Sequence, residues 1–140
     1  MPRFVVEPAV ALKWFVPEEH SSPAARLLDG GKELIAPDFF YTEASSIATA
    51  KVRLEELSPE ESIKIIEAIN SVPVQIKPTH GLLEPALLVS TSIDIPFRSG
   101  MGLTVAVQAE CRLVTANRTL YDKVQGTAFA RYVKWVGDLR

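Results

Sequence analysis

The sequence is poor in the residues that would fix its shape by a covalent link or a metal. It holds a single cysteine, Cys111, and two histidines, His20 and His80, in 140 residues. One cysteine makes no disulfide within the chain, which fits a reducing compartment. The histidines stand beside proline or glycine without metal-ligand spacing, so neither is assigned a role, and Cys111 reads as a small buried hydrophobe. Excess charge is lacking too: 15 Lys and Arg against 17 Asp and Glu leave a formal charge of −2. That balance argues against a surface that grips nucleic acid by bulk charge alone and leaves a local basic patch open. No apolar run approaches the ~20 residues of a membrane helix, because Lys13, Glu18 and later charges interrupt every candidate. Residues 1–7 turn acidic too early for a signal peptide. Internal repeats and low-complexity tracts are also missing. The expectation is a cytoplasmic protein with no membrane contact, forming one domain over residues 1–140. A chain of this length buries roughly two thirds of its unfolded surface, enough for a core without staples.

What is present is an alternation of short apolar runs and helix signals. Phe4-Val5-Val6 reads as a buried strand that passes into a helix reaching Val16, where Pro17 stops it. Ser22-Pro23 reads as an N-cap and first helical residue, and Gly30-Gly31 as the close of that helix. Leu34-Ile35-Ala36 is a strand, and Asp38 is the predicted cap of a long helix ending near Leu57. Ser58-Pro59-Glu60-Glu61 has the form of a capping box, followed by an isoleucine stripe at positions 63, 66 and 69 with Ile65 adjacent. Residues 72–76 read as a strand in which Pro73 marks either its start or a sheet edge, and residues 82–89 as a helix with Pro85 near its start. Met101, Leu103, Val105 and Val107 alternate like a strand, yet Gly102, Thr104 and Ala106 between them suit a helix buried on most sides. Strands follow at 113–115 and 132–135, with a helix at 118–124. This order predicts an α/β domain with a largely parallel sheet, whose functional groove lies beyond the carboxyl ends of the strands. Glu7, the start of the long helix and Asn117 all fall at that rim.

Those rim segments carry a resemblance. Residues 5–14 (Val-Val-Glu-Pro-Ala-Val-Ala-Leu-Lys-Trp), 37–43 (Pro-Asp-Phe-Phe-Tyr-Thr-Glu) and 113–117 (Leu-Val-Thr-Ala-Asn) are similar in order and spacing to a PIN domain, specifically to VapC-type toxin ribonucleases. The likeness runs through Leu57-Ser58-Pro59-Glu60 to Val133-Lys134-Trp135. It implies a three-layer α/β/α fold and a groove where four acidic side chains gather Mg²⁺ or Mn²⁺ to cut RNA. It also implies an antitoxin partner and a homodimer built on the early helices. Clustered carboxylates supply the hard oxygen ligands such ions need, and the ion then lowers the pKa of its water.

Carried over residue by residue, the acidic pattern breaks. The first family aspartate falls on Glu7, one methylene longer, and the glutamate of the long helix is kept as Glu43. The third falls on Ser99 and the last, in the family's Thr-Ala-Asp, on Asn117. An asparagine often found three residues after the glutamate is Ser46 here. Ser99 and Asn117 would each cap a helix as well as aspartate does while discarding its charge; Asn117 retains an amide oxygen for a metal. Glu7 and Glu43 are the remaining metal candidates, each with a bland reading: a strand-end carboxylate held by backbone amides, and an ordinary helix glutamate. Arg98 and Ser46 are candidates for substrate contact. Arg98 reads either as a guanidinium neutralising Glu7 or Glu43 or as a solvated loop residue. Lys51 and Arg53 read as a solvated helix face before an RNA contact, and Phe39, Phe40 and Tyr41 as core and dimer contacts. Two functions stay open: a VapC-like protein impaired or inactive as a nuclease that keeps fold and partner binding, or a metal-dependent endoribonuclease working through Glu7 and Glu43.

Overall fold

A computed structural model describes all 140 residues. The strands are short and apolar: β1 (Arg3–Val6), β2 (Glu33–Pro37), β3 (Gln75–Lys77), β4 (Arg112–Thr115) and β5 (Val133–Trp135). They form one sheet in the order β3-β2-β1-β4-β5, parallel at every pairing. A parallel sheet needs both faces covered, and alternation along each strand shows how. Val6, Leu34, Ala36 and Val114 enter one apolar cluster with Val10, Leu12, Phe40, Ala44 and Ile69. Val5, Ile35, Leu113 and Val133 enter the other with Leu103, Val105, Leu120 and Val124. The first layer is built from α1 (Pro8–Leu12), α2 (Ser21–Ala24), α3 (Phe40–Arg53) and α4 (Pro59–Ser71), and the second from α5 (Leu83–Ile93), α6 (Phe97–Gln108) and α7 (Arg118–Gln125). The result is the predicted three-layer α/β/α arrangement.

Local signals set several boundaries. Ser58 Oγ accepts from the Glu61 N–H and Glu61 Oε1 accepts from the Ser58 N–H, so the capping box is complete. The ambiguous segment is helical in α6, where every residue from Gly100 to Ala106 is buried. Leu103, fully enclosed there, contributes on the order of 2–5 kcal/mol over alanine.

Other expectations give way to tertiary contacts. Asp38 does not cap α3, whose N-cap is Phe39 with no side-chain bond; its carboxylate instead accepts from Thr79 N and Oγ1, tying the ends of β2 and β3 together. Ser22 lies inside α2, which His20 opens in the left-handed region (φ 65°), so the cap expected at Ser22 is displaced. The first helix ends at Leu12 and continues only as turns. On α4 it is Ile65 and Ile69 that are buried, while Ile63 is exposed, because it sits ~200° round the helix from Ile65. Cys111 is only partly buried.

Helices α5 and α6 approach closely at Gly100. A Cβ on Gly100 would overlap Ser90 Oγ and meet the Ala86 carbonyl, whereas one on Gly102 would make ordinary contact with Leu113. Gly100→Ala is therefore expected to lower stability by about 1–3 kcal/mol through overpacking, and Gly102→Ala to leave it nearly unchanged or slightly raised. Urea denaturation of both variants reads this, and equal midpoints would contradict it.

Candidate functional site

Because all five strands are parallel, their carboxyl ends share one rim. β1 and β4 are neighbours at its centre, and Glu7 leaves the first just where Thr115, Ala116 and Asn117 leave the second. The Glu7 carbonyl starts α1 by accepting from Val10 and Ala11 N–H. Its side chain turns across to β4: Oε1 accepts from Thr115 Oγ1 at 2.7 Å and from Ala116 N at 3.3 Å. The Asn117 N–H in turn donates to Thr115 Oγ1 at 3.0 Å, and Asn117 Oδ1 accepts from Leu120 N at 3.1 Å as the cap of α7. A continuous run of hydrogen bonds thus links the end of β1 to the first turn of α7. Burial pushes the Glu7 carboxyl up from its ordinary 4.5 to about 7, against the opposing pull of the Thr115 hydroxyl and the Ala116 N–H.

The opposite wall comes from α3 and α6. Glu43 lies in the first turn of α3, with Ser46 one turn further along. Arg98 is the second residue of α6, and its Nη1 stands 3.4 Å from Glu43 Oε2. Ser99 does not cap that helix. Pro96 occupies the N-cap with an extended backbone, and its carbonyl takes the first helical bond from Gly100 N, which places Ser99 inside the first turn. Glu7, Glu43, Ser46, Arg98, Ser99 and Asn117 all line one cavity of about 400 Å³, whose apolar side is Pro8, Ala9, Phe39 and Ile47. That volume falls within the range of small-ligand sites.

Lys51 and Arg53 do not line it. Lys51 is held by Glu18 at 2.9 Å and Glu56 at 3.7 Å on another part of the surface. Phe40 is buried, Tyr41 packs against the core, and Phe39 faces the cavity. Sequence reasoning assigns Thr115 only to its strand; its place as the last residue of β4, two positions before Asn117, is the signal that could have singled it out.

The donor set fits a divalent metal poorly. No group of three or more His, Cys, Asp or Glu side chains is placed to hold one. Mg²⁺ asks for near-octahedral oxygen ligation, and of the two carboxylates here one shares its oxygen with two protein donors while the other faces a guanidinium. What the arrangement offers is a half-apolar groove with one exposed cation at its edge and hydroxyl and amide groups along its floor.

Neither a family model nor any curated protein matches the sequence. Solved structures do match the fold. PAE2754 from Pyrobaculum aerophilum superposes with a TM-score of 0.68 at 18% identity, over 96% of this chain and 84% of that one. The structure of VapBC2 from Rickettsia felis, bound to a DNA fragment from their promoter, gives 0.66 at 10% identity, over 95% and 98%. The chain therefore shares its fold with these two structures, in line with the three-layer α/β/α arrangement that the resemblance to PIN domains implies.

Two expectations follow from the hydrogen-bond run. Between pH 4.5 and 7 the folded state keeps the Glu7 proton that the unfolded chain has lost, so Glu7 lowers stability as pH rises, by up to ~3 kcal/mol once pH exceeds 7. Glu7→Gln keeps an oxygen for Thr115 and Ala116 and removes the titration. Its Tm is expected to match the wild type near pH 4.5 and exceed it at pH 8; a difference that does not change with pH would sink this account. Asn117→Ala is expected to cost about 1 kcal/mol through the lost cap and Asn117→Asp almost none, as read by thermal denaturation at neutral pH.

Proposed function

We propose that this protein is a VapC-like PIN protein of toxin–antitoxin type, one domain over residues 1–140, impaired or inactive as a nuclease and acting through partner binding in the cytoplasm. The observation that carries the reading is the charge of the groove. Of the four positions expected to be acidic, Ser99 and Asn117 are neutral, and Glu43 faces Arg98. Two metal ions held by the remaining groups would lack most of their anionic ligands. The hydrogen bonds of Glu7 and Asn117 serve the fold instead.

Partner binding draws support from two directions. A solved structure of the same fold is named for a VapBC2 assembly on DNA, which supports an antitoxin as partner here. Leu83, Leu87 and Leu88 are exposed on α5, a strip of apolar surface suited to another protein, a second copy of this chain included. A second reading, an active Mg²⁺- or Mn²⁺-dependent endoribonuclease, is favoured by one fact: Glu7 and Glu43 line the same cavity.

RNA cleavage in Mg²⁺ or Mn²⁺ separates the two. The wild type is expected to cut no faster than its Glu43→Gln variant. Replacing Glu7→Asp, Ser99→Asp and Asn117→Asp together is expected to bind metal and raise cleavage by about 100-fold or more, the scale on which ångström-level placement of a reacting group acts. Strong wild-type cleavage that Glu43→Gln abolishes would overturn the impaired-nuclease reading.

A further inference from the structure

Arg98 is the only basic residue lining the groove, and its position is unusual for a cation. It lies in the first turn of α6, where free backbone N–H groups carry partial positive charge and a basic side chain is unfavourable. Local helix preference therefore does not explain it. Its guanidinium crosses instead to α3, 55 positions away in sequence, with Nη1 3.4 Å from Glu43 Oε2. The contact uses one nitrogen, and the Arg98 side chain is 68% exposed against 30% for Glu43.

We propose that Arg98 is a built-in counter-cation: it neutralises Glu43 at the place a divalent ion would be drawn to, and so makes the groove refuse Mg²⁺ and Mn²⁺. This deepens the function proposed above and rests on it. With both carboxylates ionised, Glu7 and Glu43 give the cavity a formal charge of −2, and Arg98 brings it to −1. An entering divalent ion must displace the guanidinium or share Glu43 with it. Nη1 is a single, solvent-reachable contact, so the arm can swing away, and the refusal is a matter of affinity rather than of a sealed site. A guanidinium a few ångströms from a divalent ion, screened by water, weakens that ion's binding by about tenfold.

The test is a Mn²⁺ titration of the whole chain, reading the free ion by its paramagnetic resonance signal. Arg98→Gln is expected to bind Mn²⁺ about tenfold tighter than the wild type. Arg98→Lys, which keeps the charge, is expected to stay near the wild type, and adding Glu43→Gln to Arg98→Gln is expected to remove the gain. Circular dichroism of each variant verifies folding, and Arg98→Met serves as a second neutral variant if Arg98→Gln does not fold. The proposal is overturned if the neutral variants bind no tighter than the wild type, if Arg98→Lys gains as much as they do, or if the gain survives Glu43→Gln. Cleavage by the wild type is a separate readout: it would remove the impaired-nuclease reading, while the order of Mn²⁺ affinities still decides the role of Arg98.

Discussion

Everything at the rim depends on β1 and β4 lying side by side and pointing the same way. Parallel pairing of Val5 with Leu113 and Val6 with Val114 brings the two chain segments out of the sheet level with each other. Residue 7 then meets residues 115 and 116 across a single strand spacing, although more than a hundred residues separate them in sequence. Once that is fixed, α1 and α7 both begin at the same rim, just beyond the ends of β1 and β4. The walls are supplied by α3, which begins just beyond β2, and by α6, which follows α5. The centre of the groove is thus set by the pairing of β1 with β4.

The packing that holds the fold is separate from the side chains that face the groove. The interior is held by Val5, Val6, Leu103, Leu113 and their neighbours, all fully or almost fully buried. None of them touches the question of charge. The side chains that do face the groove have local partners: Glu7 bridges two strand ends, Asn117 starts a helix, and Glu43 is matched by Arg98. Each is stable without a ligand. That self-sufficiency is the physical content of the reading proposed for this protein.

The parts of this structure legible in the sequence are those written in neighbouring residues. The capping box at Ser58 needs only positions 58 to 61, and the buried helix of α6 is visible because Gly102, Thr104 and Ala106 leave no wet face. The parallel sheet follows from the alternation of elements. What escaped was set by distant contacts. Asp38 looked like a cap because the residue that claims it, Thr79, lies 41 positions away. Ser99 is the local exception: it looked like a cap, but Pro96, three positions earlier, takes the N-cap and its carbonyl accepts from Gly100 N. Of the six groove residues, Glu7 and Asn117 fall at the rim by the parallel-sheet rule alone, whereas Glu43, Ser46, Arg98 and Ser99 could be named only through resemblance to a family. Composition and spacing alone do not say that α3 and α6 face each other at that end of the sheet.

The cap at Asn117 has a consequence for how such a protein is tracked in the laboratory. Asparagine and aspartate satisfy the Leu120 N–H equally well, so the position can exchange a neutral group for a charged one with folding almost unmoved. Expression level, solubility and melting temperature would then report the same healthy protein on both sides of a change in the charge of the groove. A library sorted on stability would let that position drift freely, and only a readout sensitive to that charge would register which state had been kept.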